Sequence, residues 1–418
     1  MPHDFFQVLS VQEVVTRLTA FPPLDEEAVG LDDADGLEGR VLAADVIARD
    51  DVPLTSRSGM DGYAVRAAET FGASETDPAY LDCVGHVDIQ TPAAFPVQPG
   101  QCAGIVTGGV VPEGADAVVM VEYTHDMGAG CIEIRRAVPP GEHVMLRGED
   151  ARAGTTALPA GTALRPQEVG LLAAVGATEV RVRRRPVVAV LSTGDELIPA
   201  EGDPRPGQVR DVNSHTLACL ARRAGARPLR LGIAPDNLDS LEQALRAGLE
   251  RADVVLLSGG SSVGVRDLTV AALQRLPRAE VFCHGVALSP GKPLILASVD
   301  GKCVWGLPGQ VTSAQVVMMI LGQPFLRHLA GHPVPFDQTR WPRHKAELAR
   351  NVASRQGRED YVRVRLEPGE EGRPPRAVPV LGMSGLLRTL TEAHGVVRIP
   401  ARREGLERGA LVDVLLFS

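Results

Sequence analysis

The chain has very little lysine. Lys292, Lys302 and Lys345 are the only lysines among 418 residues, against 40 arginines, and the formal net charge is −9. An acidic chain lacks the cationic surface that general nucleic-acid and membrane-surface binders need, so we expect neither function. Because arginine is the usual cation here, a lysine kept in a glycine- and proline-rich loop indicates a point-charge donor. Lys292, in the stretch SPGKP, fits that description.

Cysteine pairs and long apolar runs are also missing. The six cysteines form no C-x-x-C pair, and no histidine pair has zinc-finger spacing. Reduced thiols in a cytosolic protein are therefore expected. The N-terminal stretch MPHDFFQVLSVQEVV has neither the cationic start nor the apolar core of a signal sequence, and no window reaches 18 unbroken apolar residues. We expect a cytoplasmic protein that does not associate with membranes.

Apolar strands alternate with helical patterns between residues 186 and 332. The strands PVVAVLSTGDEL, PLRLGIAPD, DVVLLSGG and CVWGLPGQ are each followed by a helical pattern. Such alternation predicts a mostly parallel sheet covered by helices on both faces, a three-layer αβα domain. Ser214 is the predicted N-cap of the helix after the first strand. Asp267 is predicted to open the helix DLTVAALQRL.

The regions before and after this domain have different sequence patterns. Residues 51–150 are rich in Gly, Pro and short apolar runs, which predicts a β-rich domain. This module is inserted into an N-terminal helical and hairpin region made of residues 1–50 and 151–185. After the αβα domain of residues 186–332, alternating strands in 333–418 predict a small β barrel. The sequence thus predicts an α/β multidomain protein of four domains.

Four polar loops are expected to meet at one edge of the predicted sheet, with a fifth, SPGKP, nearby. Ligands of open parallel sheets bind outside the carboxyl ends of the strands. The loops are STGDEL (192–197), APDN (234–237), SGGSSVGVRD (258–267), SPGKP (289–293) and GLPGQ (306–310). Their glycines let backbone N–H groups converge on an anion, which predicts a phosphate-like group against Gly259 and Gly260. A tight strand-to-helix turn explains any one such loop equally well, but the five together favour a site.

Carboxylates lie in the same loops as these hydrogen-bond donors. Asp195, Glu196, Asp236 and Asp267 would repel a phosphate unless a hard cation lay between, and Mg²⁺ is the usual one. Each carboxylate alone is more often an N-cap or a surface charge. Together with Lys292 they indicate metal-assisted phosphoanhydride chemistry. The P-loop pattern G-x-x-x-x-G-K-[ST] is absent.

A second group of motifs lies in the N-terminal part. These are TSRSGMDGYAV (55–65), VTGGVVPEGADAVVMVE (106–122) and RGEDARAG (147–154), all punctuated by glycine. Taken alone, Asp61-Gly62 indicates a hairpin turn more often than a catalytic acid.

Seven ordered motifs together resemble the molybdopterin molybdenumtransferase family of the MoeA type, related to the E domain of gephyrin. They are SGMDGYAV, VTGGVVPEGADAVVMVE, RGEDARAG, LSTGDEL, DVVLLSGGSSVG, PGKP and GLPG, and they extend over nearly the whole chain. The resemblance implies a homodimer in which the sheet domain of one subunit faces the inserted β module of the other. It also implies Mg²⁺-dependent insertion of molybdate into adenylylated molybdopterin with release of AMP. A molybdopterin adenylyltransferase and acceptor molybdoenzymes would be further partners.

The same resemblance assigns site residues motif by motif. The partner subunit would present Asp61, Thr107 and Glu149–Asp150. The implied catalytic residues are Asp61, Asp150, Glu196, Asp236, Asp267 and Lys292, of which Glu196, Asp236 and Asp267 would position the metal. The implied ligand-binding residues are Thr107, Thr193, Gly194, Asp195, Gly259, Gly260, Ser262, Pro290, Gly291, Pro308, Gly309, Ser313 and Ser384.

The chain departs from the family pattern at several motif positions, namely Gly104, Met145, Ser261, Ser289, Gln310–Val311 and His394. Some of these remove a positive charge or a rigid turn from the expected anion site. Two alternatives to the molybdate insertase therefore stay open: a tungstate-preferring paralogue, and a molybdopterin carrier or scaffold without turnover. The retained acids favour the enzyme. A nucleotide pyrophosphatase of the CinA type, which the sheet domain also resembles, disagrees with the N-terminal motifs.

Overall fold

The computed structural model describes residues 8–259 and 263–417, with the side chains of 263–267 outside the described part. The chain divides into two compact units. The first, which we call the sheet–barrel unit, takes in the N-terminal side up to Glu27, Gly39–Val41, and the chain from Arg183 onward. The second, the β-rich unit, consists of Ala28–Glu38 and Leu42–Val182. The finer division into four domains stays a prediction.

The helices of the described residues are short, and several begin at a polar cap. Ser10 caps the first helix: its hydroxyl oxygen accepts from the backbone N–H of Glu13, and its own backbone N–H donates to the Glu13 carboxylate. The α-helices are α1 (Val11–Leu18), α2 (Ala34–Leu37), α3 (Pro166–Ala174), α4 (Asn213–Arg223), α5 (Leu238–Arg251), α6 (Val263–Gln274), α7 (Val311–Val317), α8 (Gln323–Leu329) and α9 (Arg388–Thr391). Further turns are 3₁₀-helical at Ala67–Thr70, Val121–Tyr123 and Gln338–Arg340, and π-helical at Met318–Gly322.

The strands divide between the two units. Those in the first part of the chain are β1 (Glu26–Gly30), β2 (Val46–Ile47), β3 (Arg57–Ser58), β4 (Gly62–Val65), β5 (Ala79–Val87), β6 (Gln101–Ile105), β7 (Ala117–Met120), β8 (Thr124–Asp126), β9 (Cys131–Ile134), β10 (Val144–Met145), β11 (Thr156–Leu158) and β12 (Glu179–Arg183). Those after it are β13 (Val187–Thr193), β14 (Leu197–Ile198), β15 (Val209–Arg210), β16 (Arg227–Ala234), β17 (Val254–Gly259), β18 (Ala279–His284), β19 (Leu288–Ser289), β20 (Ile295–Val299), β21 (Lys302–Leu307), β22 (Arg343–Leu348), β23 (Val352–Ala353), β24 (Glu359–Glu367), β25 (Arg376–Pro379), β26 (Gly395–Ile399), β27 (Gly405–Leu406) and β28 (Leu411–Leu416).

A six-stranded, mostly parallel sheet lies at the centre of the sheet–barrel unit. Its order is β16-β13-β17-β21-β20-β18, in which β20 runs antiparallel to both neighbours. Successive strand residues point to opposite faces. Val188 and Val190 therefore join a core with residues of α4 and α8, whereas Ala189 and Leu191 join a core with residues of α5 and α6. This arrangement confirms the predicted three-layer αβα domain.

Two helix starts in this domain differ from the sequence predictions. Ser214 is not the N-cap of α4: its own backbone N–H donates to Asp211 Oδ1 at 3.0 Å, so Asp211 satisfies that free amide. Helix α6 begins at Val263, four residues before Asp267. At α4 the bond to Asp211 accompanies this difference, and residue preference alone does not reveal it.

The C-terminal strands close into a barrel, as predicted. The sequence of pairings β24-β25-β22-β28-β26 returns to β24 through a further β24–β26 ladder. Its interior is filled by small and branched residues, among them Val364, Val397 and Val414. The short strand β19, from the segment between β18 and β20, pairs in parallel with β24.

The β-rich unit contains the inserted β module that the sequence predicts. Its main sheet has the order β7-β4-β6-β5-β9-β8, and residues on its two faces enter separate cores. Val65 and Cys102 enter one core, while Ala64 and Ala103 enter the other. A further core gathers Leu37 of α2 with residues of α3 and β12.

Among the residues that the structure describes, no helix has the length and apolar character needed to cross a membrane.

Candidate functional site

Three neighbouring strands end together at the carboxyl edge of the parallel sheet. Thr193, the last residue of β13, lies in register with Ala234 of β16 and Gly259 of β17. The Thr193 hydroxyl donates to Oδ1 of Asp236, and the backbone N–H of Asp236 donates to Asp195 Oδ1 at 3.1 Å. The structure thus brings together three of the predicted residues, one hydroxyl and two carboxylates.

A cavity of about 310 Å³, here called the strand-edge cavity, opens beside these strand ends. Its lining includes Thr193, Glu196, Ser258, Gly259 and Gly309. Its polar lining also includes a second carboxylate, Asp211, and the arginine Arg210, and together with backbone groups and hydroxyls this composition suits an oxygen-rich anion held with a cation. Four of the predicted site residues thus line one cavity. Ser258 lines it too, although it was not among the predicted site residues.

A second, wider cavity of about 630 Å³ adjoins the first and shares Leu197 and Asp211 with it. Gly194, Asp195, His215 and Arg230 are among its lining residues. An imidazole and a guanidinium therefore share this space with the Asp195 carboxylate. The sequence analysis did not single out either His215 or Arg230.

Asp211 and Asn213 are buried polar residues that sequence reasoning missed. Asp211 accepts from Ser192 Oγ at 2.9 Å, and Asn213 Nδ2 donates to Ser258 Oγ at 2.7 Å and to Gly309 O at 2.8 Å. Asn213 Oδ1 is buried and has no partner within the described chain, although its residue lines the strand-edge cavity. In the sequence they belong to the polar stretch DVNS at the start of α4, which does not by itself indicate that these side chains are buried.

The glycine at 259 has a structural reason that requires no ligand. A Cβ built on Gly259 would overlap the backbone carbonyl and the methyl group of Thr193 on the neighbouring strand. Only glycine fits at this position, because the ends of the two strands approach each other closely. This contact between neighbouring strands is a sufficient reason for the glycine, which by itself does not indicate a bound phosphate. Gly260 and Ser262 lie outside the described residues.

The PGKP and GLPG motifs lie around the beginning of α7. A Cβ on Gly291 would meet Val317 of α7, and Ser313 on the same helix is buried. Ser384 O accepts from Thr312 N at 3.1 Å, which ties the GMSGLL loop to this helix. Pro308 is buried next to Gly309 in the cavity wall.

Lys292 and Pro290 stay apart from the described cavity walls. The Lys292 side chain is exposed, and neither residue lines the strand-edge cavity or its wider neighbour. The Lys292 carbonyl accepts from the backbone N–H groups of Val286 and Leu294 at 2.9 Å each. The structure thus explains the position of this loop, whereas the role of the Lys292 ammonium group stays a prediction.

The motifs of the β-rich unit form a cluster of their own. Asp61 Oδ1 accepts from Thr107 N at 2.6 Å and from Thr107 Oγ1 at 2.8 Å, and these bonds hold the pKa of Asp61 below its usual range. Arg57 donates to the carbonyl of Gly108 at 3.2 Å, which places a guanidinium next to Thr107. Asp150 is exposed, and its backbone N–H donates to Val52 O at 2.9 Å.

Two departures from the family pattern acquire a structural context. Gly104 of β6 lies in register with His86 of β5, and a Cβ at 104 would overlap the His86 imidazole. An imidazole therefore occupies the space where an arginine side chain would start. Met145 is paired with Arg57 across the β10–β3 ladder, so an arginine lies opposite this position.

Hard oxygen donors characterise the predicted metal position. No group of three His, Cys, Asp or Glu side chains within the described chain forms a metal cluster, and the Asp267 side chain lies outside that part. Glu196 lines the strand-edge cavity near the hydrogen-bonded Thr193–Asp236 pair. Mg²⁺ takes one or two protein carboxylates together with water and substrate phosphate oxygens, so this donor set fits it.

Family models account for most of the chain. Residues 189–328 match a probable molybdopterin binding domain, residues 9–176 match the MoeA N-terminal region (domain I and II), and residues 345–417 match the MoeA C-terminal region (domain IV). The fold and the strand-edge site thus define a protein of the molybdopterin-binding class.

Individual relatives agree with this class. The chain is 32% identical over 414 residues to a molybdopterin molybdenumtransferase of Bacillus subtilis (strain 168), covering 98% of this chain and 94% of the relative. It is 36% identical over 334 residues to one from Nostoc sp., covering 79% and 76%. The crystal structure of molybdopterin biosynthesis moeA protein from Pyrococcus horikoshii OT3 has a TM-score of 0.82 at 29% identity, covering 98% and 100%. The chain belongs to the MoeA family of molybdopterin molybdenumtransferases, which are transferases of molybdenum cofactor biosynthesis.

Proposed function

We propose that this protein inserts molybdate into adenylylated molybdopterin in a Mg²⁺-dependent reaction that releases AMP. The observation that carries the proposal is the strand-edge arrangement of Thr193, Asp236 and Asp195 beside a cavity lined by Glu196. Carboxylates next to backbone and hydroxyl groups suit a phosphoanhydride bound together with a hard cation.

Each group in the cavity has a role in this proposal. The hydroxyl of Ser258 and the backbone at Gly309 are positioned by Asn213, so they form a fixed wall for the ligand. Asn213 Oδ1, which has no partner among the residues that the structure describes, would accept a hydrogen bond from the pterin. Thr193 orients the Asp236 carboxylate.

Glu196, Asp236 and Asp267 would hold Mg²⁺. The bound ion would neutralise charge on the phosphoanhydride oxygens and so favour departure of AMP. Glu196 is the central residue of this set because it lines the cavity and its carboxylate makes no hydrogen bond or ion pair within the described chain.

Asp61, Asp150 and Thr107 are proposed to act from the second subunit of a homodimer. Large apolar side chains are exposed beside the Asp61–Thr107 pair: Met60 and Val106 adjoin it in sequence, and Val121 N donates to Asp61 O at 3.0 Å. Apolar surface around a polar cluster is typical of a protein contact. This supports the proposal that another subunit covers this region.

AMP release tests the proposal directly. Purified protein incubated with adenylylated molybdopterin, Mg²⁺ and molybdate should release AMP and form molybdenum cofactor, and EDTA should stop both. A parallel series with tungstate determines which oxyanion is preferred. Tight binding of the nucleotide with no AMP release at any oxyanion concentration would reject the enzyme and favour the carrier alternative.

A further inference from the structure

A separate cavity of about 170 Å³ lies in the sheet–barrel unit between helices and the C-terminal barrel, and we call it the helix–barrel cavity. Its lining combines Arg223 of α4 and Arg327 of α8 with an apolar wall that includes Met319, Trp341, Leu390 and Phe417. It shares no lining residue with the strand-edge cavity or its wider neighbour. The proposed transferase reaction gives this cavity no role.

The two arginines have no counter-ion in the described chain. Neither guanidinium makes an ion pair or a hydrogen bond there. Burial lowers the pKa of Arg327, and the neighbouring charge of Arg223 lowers it further. Arg327 is partly buried whereas Arg223 is exposed, and the two like charges repel one another, so an anion between them would relieve both the repulsion and the cost of burying Arg327.

Helix ends explain only part of this arrangement. Arg223 and Arg327 lie in the last turns of α4 and α8, where free carbonyl groups favour a cation. Arg222 is in the same last turn of α4, but it lines a different cavity together with Arg227. The convergence of Arg223 and Arg327 on one cavity therefore needs a reason beyond the helix dipole.

The apolar wall limits the size and chemistry of an occupant. A cavity of roughly 150 Å³ lined by apolar side chains accommodates benzene, so about one ring fits here. Guanidinium groups bind phosphate and carboxylate oxygens through paired hydrogen bonds. We propose that the helix–barrel cavity binds a small organic anion, with a single-ring apolar body against Trp341 and Phe417 and a phosphate or carboxylate at Arg223 and Arg327.

Calorimetric titration with defined probes tests this site. Phenyl phosphate and benzoate carry both features, whereas inorganic phosphate and phenol carry one each. Phenyl phosphate or benzoate should bind about tenfold more tightly than inorganic phosphate and phenol do. The compound that binds more tightly indicates whether the site prefers a phosphate or a carboxylate. No measurable binding of either compound at millimolar concentration would overturn the proposal.

Matched variants locate the binding. Arg327→Gln should weaken the better probe about tenfold or more, and Arg223→Gln several-fold, while Arg222→Gln on the same helix turn leaves its affinity unchanged. Glu196→Gln should also leave it unchanged, because that residue belongs to the strand-edge cavity. Equal affinity of Arg327→Gln and Arg222→Gln would reject the site.

One more variant tests the contribution of the apolar wall to binding separately from that of the two arginines. Met319→Trp keeps both arginines and fills space along the wall, so it should abolish probe binding while circular dichroism shows a folded protein. Undiminished binding in this folded variant would show that the ring does not enter the cavity, and the proposal would fail.

Discussion

The hydroxyl of Thr193 donates a hydrogen bond to the carboxylate of Asp236 across the ends of two neighbouring parallel strands. The two residues are 43 positions apart in the chain, and one helix separates their strands. Because Thr193 is buried, this bond fixes the direction of a carboxylate at the edge of the proposed site. The relationship connects the parallel sheet to the chemistry that we propose.

Replacing Thr193 by valine tests this connection. Thr193→Val keeps the shape of the side chain and removes one hydrogen bond, so we expect a loss of about 1 kcal/mol in unfolding free energy. AMP release should fall more steeply, by about tenfold, because Asp236 loses its orientation. Thr70→Val is the control, since Thr70 is also buried and donates to Ala67 O at 2.8 Å. Equal activity of the two variants would contradict a positioning role.

Glu196 is expected to be required for turnover and dispensable for folding. Glu196→Gln removes the charge that faces the strand-edge cavity, and AMP release should fall by at least about 100-fold at an unchanged melting temperature. Glu201→Gln, an exposed position in the following loop, should retain activity. A fully active Glu196→Gln protein would remove this residue from the mechanism.

Heterodimers test whether two subunits share one site. Asp61→Asn and Glu196→Gln should each be inactive alone. Co-expression with two different tags and tandem purification yields a mixed dimer that contains one intact combination of Asp61 and Glu196 if the site is shared. Such a dimer should recover about half of the wild-type rate. If each variant is inactive alone and the mixed dimer is also inactive, both residues act within the same subunit and the shared site is rejected.

The ion pair of Asp253 and Arg184 should make stability depend on acid pH. Burial by itself raises the pKa of Asp253, but bidentate bonds from Arg184 at 2.8 Å and one from Val187 N outweigh it and hold this pKa below 3.8. A depressed pKa stabilises the folded state above pH 3.8, and the contribution is lost as pH falls through the lower folded value.

Urea unfolding of Asp253→Asn measures this contribution. At pH 7 the variant should lose about 1–2 kcal/mol, allowing for the partial exposure of Arg184, and the difference from wild type should shrink below pH 4. Asp239→Asn breaks an exposed pair with Arg275 and should change stability by less than about 0.5 kcal/mol. A deficit for Asp253→Asn that is constant from pH 7 to pH 3 would contradict the assigned pKa.

Local patterns in the sequence were sufficient for the architecture and the family. The alternation of apolar strands and helices predicted the parallel sheet, and the Gly-punctuated motifs predicted the MoeA family, which the family models confirm. They also predicted the loops that carry Thr193, Asp195 and Glu196. These features follow from periodicity and residue type, which act within a few neighbouring positions.

The contacts around the site could not be predicted in the same way. Asn213 holds Ser258 and Gly309, which are 45 and 96 residues away, and nothing local distinguishes its amide from that of a surface residue. The contact of Gly259 with Thr193 likewise depends on the registration of two strands. Long-range hydrogen bonds and close backbone approaches exist only after the sheet has assembled.

The sequence by itself determined the order of elements, the parallel sheet, the barrel and the family, because hydrophobic periodicity and motif spacing encode them locally. Only the tertiary structure decided which polar groups have partners. Within the described residues, it paired Thr193 with Asp236, left Asn213 Oδ1 without a hydrogen-bond partner, and brought Arg223 and Arg327 to one cavity without a counter-ion. The physical reason is that hydrogen bonding and burial depend on atoms that are distant in the chain and become neighbours on folding.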